Sequence, residues 1–283
     1  MSLPGDGDLP VRVRTALLDA LEALDQHRDS VVVVGAQAVY LHTGKAVVAL
    51  AEATKDSDLA LDMRHLEDDP RIEQAMKARG FHQDLLKAQP GAWLSPDGIP
   101  VDLMVPEALA GAPGRRAARI PPHDRQATRQ ALGLEAAVVD NSQMEIVSLA
   151  AGDDRRYIAN VAGPASLLVA KLHKLGERRT DARPGRFNDK DAHDVYRLFV
   201  AIETAVLADS LRALCTDDLA GPVTRQALVY LEELFAAGPD ATGSATAGRA
   251  EEGVGEPETV AASVALLATD LLTALGESRT GAG

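Results

Sequence analysis

The sequence predicts an α+β fold, a mixed β-sheet core followed by a mostly helical region. Three observations predict it. Strand-like segments, led by the four-valine run 31–34, fall before residue 149. From Pro164 onward apolar residues recur at helical spacing. Gly, Pro, Asp and Ser cluster between the strand-like runs, as turn chemistry requires. The expected division is residues 1–148 for the sheet core and 149–283 for the helical part, with a mobile linker near 237–258.

The elements follow in order. Residues 11–27 read as a helix, with Leu17, Leu18, Leu21 and Leu24 on one face. The valine run between Ser30 and Gly35 reads as a buried strand. A short helix begins near Gln37. Residues 56–62 alternate in part and fit a strand. Residues 70–79 fit a helix with Asp69 as N-cap, Pro70 at its first position and Gly80 at its end. Trp93-Leu94 and residues 99–105 form a predicted hairpin across Ser95-Pro96-Asp97-Gly98. Residues 136–139 and 144–148 read as two further strands. Residues 164–178 and 189–207 are the clearest helices. Residues 237–258 hold small and polar side chains and read as a mobile linker. A terminal helix occupies 260–275.

Composition narrows the function classes. The chain has 283 residues, 46% hydrophobic and 25% charged, which is ordinary for a globular protein. Only 3% is aromatic, so Ala, Leu and Val must fill the core. A formal net charge of −13 argues against a dedicated DNA-binding protein, because phosphate neutralisation drives that affinity. Cys215 is the single cysteine, which excludes an intrachain disulfide and a cysteine-based zinc site. The first ten residues lack a basic and an apolar leader region, and no apolar run is expected to reach bilayer length. The expectation is a cytoplasmic protein without a membrane partner.

The chemistry concentrates in Thr54-Lys55-Asp56-Ser57-Asp58-Leu59. Residues two apart on a strand share a face, so Asp56 and Asp58 are expected to project together. Two carboxylates on one face repel, and a cation relieves the cost. Asp102 lies in a second strand-like run, between Val101 and Leu103, and an ionised group there needs a partner or a metal. If the two strands are neighbours, Asp56, Asp58 and Asp102 form a three-carboxylate cluster suited to Mg²⁺ or Mn²⁺ and phosphoryl chemistry. Asp-x-Asp also occurs by chance in surface loops, and Asp102 has the alternative role of flanking a hairpin strand. Gly35-Ala36 sits between a strand and a helix, where backbone amides approach phosphates. An ordinary strand-to-helix turn gives the same pattern.

The order of strand, Gly-small pair, helix, Asp-x-Asp strand and lone-Asp strand resembles the DNA-polymerase-beta-like nucleotidyltransferase superfamily. Gly35-Ala36-Gln37-Ala38, His42-Thr43-Gly44 and the Asp-x-Asp segment resemble its AbiEii-type branch, related to mycobacterial nucleotidyltransferase toxins, over residues 31 to 198. The resemblance implies a nucleotidyltransferase using a nucleoside triphosphate, with Asp56 and Asp58 on the metals. It implies that Gly35, Ala36, Thr54 and Lys55 contact the triphosphate. It also implies tRNA as an acceptor and a cognate antitoxin as a partner. Small-molecule or protein acceptors, and a catalytically inactive nucleotide-binding module, are the alternatives. Ala36 departs from the family, which usually has a glycine or serine there, so a hydroxyl contact to phosphate is missing.

In the helical half, Lys171 lies at the edge of the Leu168–Leu172–Leu175 face, and Asp191 lies on the Val195–Leu198–Ile202 stripe. A Lys171–Asp191 salt bridge between helices is one reading. The other has Lys171 neutralise triphosphate charge, with Asp191 orienting it. The resemblance implies the second, matching Lys171 and the pair Asp191 and Asp194; Lys174, one turn on, is an alternative cation. Arg115, Arg116, Arg119, Arg125 and Arg129 form an Arg-rich segment, read either as a solvated loop or as an RNA-backbone contact. His173 and His193 are candidate metal ligands, although lone histidines on helices are more often surface or packing residues.

Overall fold

The computed structural model describes residues 9–44, 54–86, 89–111, 116–179 and 189–277. The fold class is α+β, as the sequence predicts. The chain divides into two compact units, residues 1–38 with 53–162, and residues 39–52 with 163–283. The boundary falls after residue 162 rather than 148, because a strand pair beyond residue 140 completes the sheet.

The first unit is a mixed eight-stranded sheet with helices α1 (Leu9–Ala23), α3 (Ile72–Ala78) and α4 (Glu135–Val139). Its strands are β1 (Val31–Val34), β2 (Ser57–Leu61), β3 (His82–Gln83), β4 (Ala92–Leu94), β5 (Pro100–Pro106), β6 (Arg129–Ala131), β7 (Asn141–Val147) and β8 (Arg156–Ala162). They run in the order β3-β4-β5-β2-β1-β8-β7, and β6 also pairs with β5. β1 is antiparallel to β2 and parallel to β8, while β2 is parallel to β5. Helix α1 buries Val13, Leu17, Leu18 and Leu21 and packs on β2, β5 and β8. The β4–β5 hairpin closes as expected, with the Ser95 amide donating to Ile99 O at 2.9 Å.

Three local expectations change. Residues 136–139 are helical, within α4. A short apolar run does not distinguish helix from strand, and buried Glu135 settles it by accepting from the Gly133 and Ala108 amides at 2.8 and 3.0 Å. Helix α3 starts at Ile72 with Arg71 as N-cap, not Asp69. The Ile72 amide is satisfied by His123 Nδ1 at 3.2 Å, while Pro70 O accepts from His27 Nε2 at 2.6 Å. Strands β3, β6 and β8 were not anticipated, being too short or too irregular in their alternation.

Helix α2 (Gly35–Thr43) starts in the first unit and passes into the second. The second unit then holds α5 (Pro164–Arg178), α6 (Asp189–Ala201), α7 (Thr204–Thr216), α8 (Gly221–Leu231), a π-helical turn (Glu232–Ala236), α9 (Thr242–Arg249) and α10 (Pro257–Glu277). The helix expected over 189–207 breaks at Glu203, whose backbone is extended. The expected mobile linker instead carries α9, packed against α6, α10 and the π-helical turn. Its small residues serve close packing: a Cβ on Gly243 would lie 2.7 Å from Leu234 O, and Ser244 Oγ donates to Phe235 O at 3.0 Å.

Helix α10 corrects a further expectation. Residues 257–276 are long and apolar enough to cross a membrane, although no such run was anticipated. In this fold Val260, Val264, Ala268 and Leu271 are buried, and the helix packs on α6, α7 and α9.

Candidate active site

The site in the sheet unit follows from strand register. Val34 opposes Asp58 across the antiparallel β1–β2 pair, and Asp58 stands beside Asp102 across the parallel β2–β5 pair. Neighbouring strands lie about 4.8 Å apart, and residues in register point to the same face. The two carboxylates are therefore lateral neighbours, as the sequence required for a shared site. Both are only partly exposed.

Gly35 follows β1 and begins α2 with φ +68°, a backbone that favours glycine. A Cβ there would overlap Asp58 Oδ2. The strand-to-helix turn is thus pressed directly onto the carboxylate, which explains a glycine at this position. Arg14 steadies the same turn, its Nε donating to Gln37 Oε1 at 3.0 Å and one NH group to Val147 O at 3.1 Å. Ala36 is buried and offers no side-chain donor.

Asp56 precedes β2 and accepts from Thr54 Oγ1 at 2.9 Å. Thr54 is buried and Lys55 exposed. Among the described residues, no three Asp, Glu, His or Cys side chains converge as a metal-holding group. The structure brings Asp58 and Asp102 together and does not gather Asp56 with them into such a trio. The pair still fits Mg²⁺, which is held through one or two carboxylates with waters and substrate phosphates rather than in a protein cage. The fit rests on an orphaned atom: Asp102 Oδ1 is buried without a hydrogen-bond partner among the described residues.

Asp102 has one further neighbour that sequence reasoning placed in a loop. Arg129 on β6 donates from NH2 to Asp102 Oδ2 at 3.1 Å. The signal in the sequence was weak, because β6 has only three residues. Arg116, Arg119 and Arg125 are exposed, and Arg115 lies outside the described residues.

Lys171 and Asp191 do meet, inside the helical unit. Lys171 Nζ donates to Asp191 Oδ1 at 2.8 Å and to Asp194 Oδ2 at 2.6 Å. Lys174 reaches Asp191 Oδ1 at 3.0 Å, and Arg178 reaches Asp191 Oδ2 at 2.9 Å. The spacing Asp-x-x-Asp explains the pair of acceptors, since residues three apart share a helix face. Burial alone would raise the Asp191 carboxyl, but Lys171, Lys174 and Arg178 outweigh it and hold it well below the ordinary carboxylate range. Burial alone would lower the Lys171 ammonium, but Asp191 and Asp194 push it well above the ordinary lysine value.

Tyr40 and Arg197 belong to the same neighbourhood and were not anticipated. The Arg197 guanidinium lies 5.3 Å from the centre of the Tyr40 ring and donates to Thr43 Oγ1 at 3.3 Å. Burial, then the Asp194 charge, pushes the Tyr40 phenol up to about 12 against the opposing Arg197 and Lys171. His173 and His193 are buried packing residues: His173 Nε2 donates to Val223 O at 2.8 Å, and His193 Nε2 meets Glu251 Oε1 at 2.5 Å.

No family model matches the chain, and no curated protein matches it. Among solved structures it is similar to an antigenic nucleotidyltransferase-like protein from Paracoccidioides brasiliensis, at 18% identity over 81% of this chain and 95% of that one. The TM-score is 0.38, too loose an overlap to establish a shared fold.

Proposed function

We propose that this chain is a divalent-metal-dependent nucleotidyltransferase, moving a nucleoside monophosphate from a nucleoside triphosphate to an acceptor hydroxyl. One observation carries the reading. Asp58 and Asp102 stand side by side on parallel strands, with the Gly35 turn pressed against Asp58. A carboxylate pair beneath a helix-opening glycine turn suits a triphosphate and its cation.

Asp58 and Asp102, with Asp56 beside them in sequence, would hold Mg²⁺ or Mn²⁺. The ion would supply charge neutralisation on the phosphates. The acceptor oxygen forms a bond to the α-phosphorus, the bond to the bridging oxygen of the leaving pyrophosphate breaks, and Asp102 takes the acceptor's proton. Gly35 and Ala36 offer backbone rather than side chain to the triphosphate, and Thr54 and Lys55 flank it. In the helical unit, Lys171 is bound to two carboxylates and so acts as the anchor of its cluster. Lys174 and Arg178, both more exposed than Lys171, are the cations better placed to meet an anionic ligand.

The acceptor we favour is tRNA, in a cytoplasmic toxin–antitoxin pair, supported by exposed Arg116, Arg119 and Arg125 and by the family resemblance. A second reading, an inactive nucleotide-binding module, draws on Ala36 and its missing hydroxyl. Incubation with radiolabelled nucleoside triphosphates and Mg²⁺, against total RNA, protein and small molecules in turn, tests both. Label should move to RNA and vanish with Asp58→Asn. Label on protein or a small molecule would reassign the acceptor, and nucleotide binding without transfer would favour the module.

A further inference from the structure

We propose that Arg129 is a positioning residue, holding Asp102 by one oxygen so that the other faces a metal ion. The inference rests on the metal-dependent reading of the Asp58–Asp102 pair. Arginine normally grips a carboxylate with two parallel N–H donors. The same unit makes that grip elsewhere. Arg64 holds Asp62 with Nε on Oδ1 at 2.9 Å and NH2 on Oδ2 at 2.7 Å. Arg155 holds Asp153 with Nε and NH2 at 3.0 and 2.9 Å.

The Arg129–Asp102 pair is half made. Only NH2 to Oδ2 forms, at 3.1 Å, while Arg129 Nε and Asp102 Oδ1 are both buried without hydrogen-bond partners among the described residues. Leaving two buried polar atoms unsatisfied costs free energy. A fork would remove that cost, and the strands do not provide one. Arg129 is in register with Met104, two residues along β5 from Asp102, so its side chain reaches back diagonally. Gly91 permits this approach. Its φ is +76°, and a Cβ there would overlap Leu103 O and lie 2.7 Å from the Arg129 amide nitrogen. The side chains are 22% and 14% exposed, which screens the pair little from each other.

The arrangement matches a metal-ligating carboxylate whose second oxygen is fixed by an outer hydrogen bond. Arg129 keeps Asp102 from turning both oxygens toward Asp58 and leaves Oδ1 as the ligand atom.

Mn²⁺ alone, titrated calorimetrically into the full chain, tests this without turnover. Arg129→Gln should weaken Mn²⁺ by about 10–100-fold, and Arg129→Lys by less, since it keeps charge but loses the planar fork. Arg64→Gln should lower the melting temperature yet leave Mn²⁺ affinity unchanged. Wild-type affinity in Arg129→Gln overturns the proposal. Tighter binding also overturns it, because Arg129 would then compete with the metal. If Arg129→Gln does not fold, unchanged affinity in Arg129→Lys overturns it instead. Absence of Mn²⁺ binding by the wild type would instead sink the metal-dependent reading itself, and the positioning role with it.

Discussion

Gly35 is where a single residue decides the geometry of the candidate site. Its left-handed backbone and its contact with Asp58 each exclude a side chain. Gly35→Ala should therefore displace Asp58 or unwind the first turn of α2, costing about 1–3 kcal/mol and weakening Mn²⁺ binding together. Chemical denaturation and a Mn²⁺ titration on the same variant check this; a variant that melts early yet binds Mn²⁺ normally would separate the glycine from the site. Asp58, Asp102 and Gly35 were all legible in the sequence, because a strand, a glycine and a spaced carboxylate leave local marks. Arg129 was not. Its partner lies 27 positions away, and Arg129 itself sits on a three-residue strand whose pairing no local pattern announces. Lys171 is the opposite case, for its spacing and both carboxylates were legible, but that one ammonium binds Asp191 and Asp194 together depends on how α5 packs on α6.

At the scale of elements, the contact between α5 and α6 is written in charge. Asp191 and Lys171 are only 3% and 6% exposed at their side chains, so this is a buried ion cluster and not a surface one. Removing one member leaves uncompensated charge, typically about 3–5 kcal/mol. Because the Asp191 carboxyl is depressed in the folded state, its contribution is complete above the unfolded value of about 4. It drains as pH falls below that toward the folded value. Lys171 is raised, so its contribution is complete below its unfolded value and drains only as strongly alkaline pH passes the folded value. Urea melts from pH 7 to pH 3 should show stability falling at the acid end. In Asp191→Asn stability should be lower at pH 7 and change less on acidification. Parallel curves for the two proteins would show that the acid loss originates elsewhere. Helices α5 and α6 were legible because their apolar stripes are long. Residues 136–139 were misread because a run of only four residues, Ala-Ala-Val-Val, fits either period.

For the whole molecule, the informative mismatch is where each unit ends. Neither unit is one continuous stretch of chain, since residues 39–52 belong with the helices. Tyr40 and Thr43 pack there on Arg197, a pairing that composition cannot reveal. The C-terminal stretch misled for a related reason. A run rich in Gly, Ala and Thr looks too poor in apolar surface to fold, yet small residues are what close helix packing selects when a large neighbour supplies the area. Gly243 lies against Leu234 and Phe235, Glu251 closes on His193, and Arg249 reaches Asp189 at 3.0 Å. Deletion from Ala237 onward would remove α9 and α10 together. It would strip His193 of its carboxylate and uncover the α7 residues Leu207 and Leu211, now 1% exposed on a helix that packs against α10. Each such leucine contributes about 1.5–3 kcal/mol on burial, so the two together are a large share of the roughly 5–15 kcal/mol that holds a domain folded. The truncated chain should express as aggregate, or melt well below the full chain where soluble. A soluble monomer with an unchanged melting temperature would show that α9 and α10 are an appendage rather than part of the helical core.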